Sequence, residues 1–266
     1  MTAKGSVGAT FAALAVEQAD KAARALARRR DRHLAVHAAR KAMRRLRSIL
    51  CLCRDALGPD VAGIDRKCKR LAAGLSDLRD AHVVASTARG LAKKHDDDLW
   101  REVATQLEAR RRRLLEDVLS RDPDFGKRRA RLGVLAQAIA ALPWDNLTMD
   151  DLREGIRRSR HRVARAQRAS EQVSSLAHRH RWRRRLRRLR MQLQAIQAAG
   201  VPAPVLKKIH AGKGHASIRA LSKLSDELGR RQDLRMLGSS LKVLDKSLPL
   251  ALLRSRIRTE MRRASH

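Results

Sequence analysis

The sequence predicts an all-α chain built from two copies of one helical unit, and three observations lead there. Ala, Leu, Arg, Gln and Glu dominate and β-branched runs are absent. The helix breakers are confined to a few clusters. One basic motif occurs twice, once in each half of the chain. The 266 residues are enough for one or two real cores, and plentiful Ala, Leu, Val and Ile with only 6 Pro argue against disorder.

The breakers divide the chain into helices of roughly 15 to 30 residues. The first runs to Asp31–Leu34 and carries Lys21, Arg24 and Arg28 on one face. The next holds the first basic motif and ends before Gly58-Pro59. A Leu-rich stretch follows to His95–Asp98, and another, carrying Arg110 to Arg113, to Asp122-Pro123. Pro143 to Asp151 lies just past the midpoint and is the natural boundary between the halves, giving repeats over residues 10–142 and 145–263. The helix that opens the second half places Arg153, Arg157, Arg160, His161 and Arg168 within about 100° of one another. The second basic motif then runs towards Gly200–Pro204, and the last break is Leu248-Pro249.

Charge narrows the function. Against 27 acidic residues stand 61 basic ones, a formal +34, and 47 of the 61 are Arg, the side chain suited to forked binding of phosphate or carboxylate. The partner is therefore expected to be anionic. Five aromatic residues leave almost nothing from which to build a surface that stacks single-stranded bases. Cys51, Cys53 and Cys68 are too few and too clustered for a disulfide framework, which fits a reducing cytoplasm. Thr10 to Val16 is apolar but too short to span a bilayer, and no run of 18 uncharged apolar residues occurs.

The first motif reads His37-Ala38-Ala39-Arg40-Lys41-Ala42-Met43-Arg44-Arg45-Leu46-Arg47, and the second His180-Arg181-Trp182-Arg183-Arg184-Arg185-Leu186-Arg187-Arg188-Leu189-Arg190. Six positions are identical, and Lys41 answers to Arg184. Further on, Leu75–Asp80 is echoed by Leu228–Asp233, with Asp80 and Asp233 lying 43 and 53 residues past their histidines. On a helix with His37 at 0°, Arg40, Lys41 and Arg44 fall at about 300°, 40° and 340°, flanked by Arg45 and Arg47 at about 80° and 280°. Ala39, Ala42, Met43, Leu46, Ile49, Leu50 and Cys53 take the opposite side, as Trp182, Leu186, Leu189, Leu193 and Ile196 do in the second copy.

A charged helix face is ordinarily a solvated one that mixes signs. Neither stripe here contains an acid, and like charges at i,i+4 destabilise a helix by a few tenths of a kcal/mol per pair. A polyvalent anion offsets this, because each Arg–phosphate contact is worth roughly 1.5 to 3 kcal/mol where water is partly excluded. Since the helix rises about 10 Å from His37 to Arg44, the ladder suits a repeating phosphate chain better than one small ligand.

The pattern His-x-x-Arg-[Lys/Arg]-x-x-Arg-Arg-Leu-Arg, met twice and followed each time by a Leu-rich helix with Arg-Asp or Gln-Asp, resembles the CHAD domain. The resemblance covers about Thr10 to Arg263. It implies two four-helix bundles related by pseudo-twofold symmetry, a basic surface or pore, and binding of inorganic polyphosphate, often on polyphosphate granules. It further implies that His37, Arg40, Lys41, Arg44, Arg45 and Arg47, with His180, Arg183, Arg184, Arg187, Arg188 and Arg190, line the site. The CYTH triphosphatase signature Glu-x-Glu-x-Lys is absent, so that hydrolase activity is not implied.

Arg157 and Arg160 either extend the basic groove or are solvated surface, and Arg110 to Arg113 wrap more than a full turn and read as surface. Asp80 and Asp233 are expected to pair with arginines and fix packing, since a lone carboxylate lacks the second group that acid/base chemistry needs. Neighbouring arginines disfavour the protonated imidazole until an anion arrives. His37 and His180 are therefore read as donors to phosphate, and affinity is expected to rise as pH falls from about 8 to 6.

Cys53 and Cys68 read as packing residues, whereas Cys51 lands near 320°, on the basic face, where arginines can activate it. The reading is a non-enzymatic polyphosphate-binding module that needs no cofactor or metal and makes only weak, nonspecific contact with nucleic acid. Two rivals stand beside it. One is a basic nucleic-acid-binding protein. The other is an enzyme of polyphosphate metabolism, which lacks a glycine-rich phosphate loop, Gly212-Lys213-Gly214 being too short.

Overall fold

A computed structural model of the chain describes residues 6–173, 175–201, 217–244 and 248–263. Among them are ten α-helices and no strand: α1 (Val7–Ala27), α2 (Arg32–Leu52), α3 (Asp60–Ala73), α4 (Ser76–His95), α5 (Asp98–Arg121), α6 (Gly126–Ala140), α7 (Met149–Gln172), α8 (Leu176–Ala198), α9 (Ile218–Ser240) and α10 (Leu250–Arg263). Gly212-Lys213-Gly214, Pro202 and Pro204 lie outside the described residues.

The helices begin where local chemistry satisfies their first N–H groups. Ser6 accepts from the Ala9 amide at 3.1 Å, and Asp31, left-handed at φ 51°, accepts from the Leu34 amide at 3.1 Å. Thr148 and Asp151 form a reciprocal capping box at the start of α7. Two breaks were not expected from the sequence, at Gly74-Leu75 between α3 and α4 and after Gln172 between α7 and α8. Neither contains proline; the second is marked by Ser175, whose Oγ caps α8 through the His178 amide at 3.2 Å.

Packing gathers the chain into two compact units, residues 1–73 with 125–225 and residues 74–124 with 226–266, so each unit draws on both halves of the sequence. In the first, α1 packs on α2 and α6, α7 packs on α8, and α2 also meets α3, α7 and α8. Phe11, Met43, Leu46, Leu186, Leu193 and Ile196 are fully buried there. Two glycines permit close backbone approach. A Cβ on Gly8 would run into the Trp144 carbonyl, and one on Gly155 would lie 2.5 Å from the Leu52 carbonyl oxygen.

In the second unit α4 packs on α5, and Val84, Ala88, Leu91, Trp100, Val103 and Leu107 share a core with Leu234, Leu237, Leu253 and Ile257. Beside it the Glu260 carboxylate accepts from Lys94 Nζ at 2.7 Å and Arg263 Nη1 at 3.0 Å, and meets His95 Nε2 at 3.1 Å. Burial acts to raise its pKa, but these cations hold it below the ordinary glutamate value. No helix among the described residues is long and apolar enough to cross a membrane.

Candidate polyanion-binding site

The amphipathic reading of α2 holds residue by residue. Ala39, Ala42, Met43, Leu46, Ile49, Leu50 and Cys53 are all buried. In α8, Leu186, Leu189, Leu193 and Ile196 are buried and Trp182 is half-buried. On the cationic sides His37, Lys41 and Arg184 are exposed. Arg40, Arg44, Arg45, Arg47, His180, Arg183, Arg187, Arg188 and Arg190 are half-buried.

The two copies make one bond in common. Arg40 Nη1 donates to the Ala72 carbonyl and Arg183 Nε to the Ser225 carbonyl at 3.3 Å. Both acceptors lie eight residues before the repeated aspartates, Asp80 and Asp233. The next rung differs. Arg47 forks onto Asp65 at 2.6 and 2.9 Å, whereas Arg190 donates to Ser222 Oγ at 2.7 Å. The hydrogen bond that Arg47 donates to Asp65 raises the Arg47 pKa above its ordinary value against partial burial. Lys41, Arg45 and Arg184 have no hydrogen-bond or ion-pair partner among the described residues.

The two histidine-bearing helices touch. Ser48 Oγ, bonded to the Arg44 carbonyl at 2.8 Å, lies 3.7 Å from Met191 Sδ, and Gln192 Nε2 donates to the Ser48 carbonyl at 3.3 Å. Ser48 and Met191 stand at the same place in the repeat, eleven residues past His37 and His180. One step further along α2, Cys51 Sγ lies 3.8 Å from Arg188 Nη1, so the helices run antiparallel through the contact. Sequence reasoning stopped each motif at Arg47 and Arg190 and missed these residues. The signal was present: Ser48 falls at about 20°, inside the cationic stripe, where a small neutral residue interrupts the charge.

The additional arginines are placed unequally. Arg157 is exposed and forks onto Glu154 at 2.6 and 2.9 Å within its own helix. Arg160 is half-buried; burial lowers its pKa, and its Nη2 is buried without a hydrogen-bond partner. Arg162 Nη1 reaches Cys51 Sγ at 3.9 Å. Cys53 and Cys68 are buried packing residues, and Cys51 is half-buried.

In the second unit Arg79 lies 2.8 Å from Asp80 and 3.8 Å from Asp233, so both repeated aspartates meet one guanidinium, as packing residues do. Arg110, Arg112 and Arg113 are exposed, and Arg111 contacts His82 Nδ1 at 3.2 Å.

No curated protein matches the chain. A solved structure that is similar to it is the crystal structure of the CHAD domain from the plant Ricinus communis, with a TM-score of 0.68 at 18% identity over 99% of this chain and 89% of that one. At that identity the likeness establishes a shared helical fold. The family model described as the CHAD domain matches residues 10–242, which takes in both histidine motifs and both repeated aspartates. By that match the chain belongs to the CHAD domain family.

Proposed function

We propose that the protein binds inorganic polyphosphate along the cationic sides of α2 and α8, without catalysing a reaction, as a cytoplasmic protein associated with polyphosphate granules. The observation that carries the reading is the contact of Ser48 with Met191 at equivalent positions of the two copies. It makes one continuous cationic track of two stripes. Arg44 and Arg187 each lie four residues from the crossing, about 6 Å of helix rise, and the histidines stand at the two outer ends. In this reading a local twofold between Ser48 and Met191 relates the histidine helices of repeats 10–142 and 145–263. The ligand contacts come from His37, Arg40, Lys41, Arg44 and Arg45 and from His180, Arg183, Arg184, Arg187, Arg188 and Arg190, with Arg160 beside them, while Arg47 stays forked onto Asp65 and holds α2 to α3.

A pI near 11.7 is also the footprint of a nucleic-acid binder, so the test is a competition. Long-chain polyphosphate is set against duplex DNA at about 0.15 M salt, where nonspecific DNA contacts are weakened, with phosphate release followed alongside. Polyphosphate is expected to displace DNA with no phosphate released. Displacement of polyphosphate by DNA overturns the choice of ligand, and steady phosphate release overturns the non-enzymatic reading.

A further inference from the structure

We propose that Gln192 is a positioning residue for the cationic track. The bond from its side-chain amide to the Ser48 carbonyl fixes the register of α8 against α2, and that register favours phosphate chains long enough to use both stripes. The inference rests on the function proposed above and concerns a side chain that takes no part in ligand contact.

Gln192 is fully buried on the packing side of α8. Leu189 and Ile196, one turn away in either direction, and the adjacent Leu193 are buried with it. Its Nε2 donates to the Ser48 carbonyl of α2 at 3.3 Å, and its Oε1 is buried without a hydrogen-bond partner among the described residues. The reversed amide would set oxygen against oxygen, so the contact allows only this orientation. Gln192 stands twelve residues past His180, and the equivalent position in the first copy, twelve past His37, is the buried Ile49. One copy of the repeat therefore places an apolar side chain where the other places a half-satisfied amide.

Stability does not account for that amide. A buried polar group with an unmade bond is less favourable than an apolar side chain of the same shape. The best-attested use of a single polar residue in an apolar helix contact is to fix register, because any other alignment strands the polar group. A slip of α8 by one turn would carry Nε2 about 5.4 Å from the Ser48 carbonyl. It would move Arg187 by the same distance relative to Arg44 and break the track at the crossing. Each stripe alone runs about 16 Å, from its histidine to Ser48 or Met191. A short phosphate chain is satisfied by one stripe, and only a chain that reaches across the crossing senses the register.

Two variants of the full chain test this. Q192M removes the amide at nearly constant shape, and I49Q/Q192I moves it to the equivalent place in the other copy. In Q192M the first calorimetric transition should hold or rise and tripolyphosphate affinity should be unchanged. Long-chain affinity should fall about tenfold, as for one lost charge-assisted contact. I49Q/Q192I should recover long-chain affinity to within about threefold of the parent. Register is read without ligand from spin labels on K41C/R184C in a C51A background. These sites lie seven residues from the crossing on opposite sides, about 21 Å apart along it. Their separation should be single-valued in the parent and should shift or broaden in Q192M.

A lowered transition in Q192M with both ligands weakened together shows a merely structural residue and overturns the proposal. An unchanged label separation in Q192M overturns it as well, as does parental long-chain affinity in Q192M when R44E/R187E weakens binding. If R44E/R187E leaves long-chain affinity unchanged, the function proposed above fails, and the label separation then decides the register by itself.

Discussion

Replacing Arg47 by alanine separates a structural cation from a ligand-binding one inside the same motif. Arg47 and Arg44 are equivalent on sequence grounds, but the Arg47 guanidinium is already forked onto Asp65 at 2.6 and 2.9 Å. The two side chains are 21% and 37% exposed. The pair therefore lies between exposed ion pairs, worth up to about 1 kcal/mol, and buried ones, whose disruption costs about 3 to 5 kcal/mol. Arg47→Ala is expected to destabilise by about 1 to 3 kcal/mol, lowering the first calorimetric transition by about 2 to 4 °C per kcal/mol. Asp65→Asn should cost a similar amount, and the double variant little more than either. Polyphosphate affinity should change less than about threefold, under 0.7 kcal/mol.

R44E/R187E should do the opposite. Loss of two charge-assisted contacts at about 1.5 to 3 kcal/mol each weakens binding by about 10² to 10⁴-fold, with helicity retained. Isothermal titration beside calorimetry reads both effects. A structural role for Arg47 is refuted if Arg47→Ala weakens polyphosphate binding as much as Arg44→Ala does while leaving the transition temperature unchanged.

Glycine substitutions should split by sign. Gly8→Ala and Gly155→Ala force a Cβ into the Trp144 and Leu52 carbonyls and should each destabilise by about 1 to 3 kcal/mol. Gly90→Ala and Gly133→Ala, which meet nothing within 4 Å on α4 and α6, should stabilise by about 0.5 to 1 kcal/mol. Urea midpoints that shift in one direction for all four would contradict the close-approach geometry. Alkaline stability should depend on the buried thiols. Burial pushes Cys68 up to about 12 and raises Cys53 as well. The folded values exceed the unfolded ones, so this stability is fully present below the unfolded pKa near 8.5 to 9. It is lost as pH rises above that, by about 1.4 kcal/mol per pH unit and thiol. In the Cys53→Ala/Cys68→Ala variant the fall between pH 9 and 11 should be shallower, although stability at pH 8 is lower.

The α2 face shows why part of this protein is legible in one dimension. Which side of a helix is apolar depends only on residue spacing, so Ala39, Met43, Leu46 and Ile49 could be assigned to the interior and are found there. Caps are equally local, as at Asp31 and in the Thr148–Asp151 box. The break between α3 and α4 was less legible because Leu75, at the N-cap, makes no side-chain capping bond. Nothing local marks that turn beyond one glycine.

By itself the sequence determined the helical class, the duplication, the family and the two cationic stripes, because periodicity and composition act through neighbours along the chain. Only the tertiary structure decided how those cations are used. Arg47 meets Asp65 of α3, Arg40 and Arg183 turn to carbonyls of other helices, and Arg162 and Arg188 converge on Cys51. Ser48 likewise interrupts a charged stripe because the second copy of the helix packs there. An arginine is flexible enough to reach several partners, and which one it reaches is decided by helices distant in sequence that packing brings within a few ångströms.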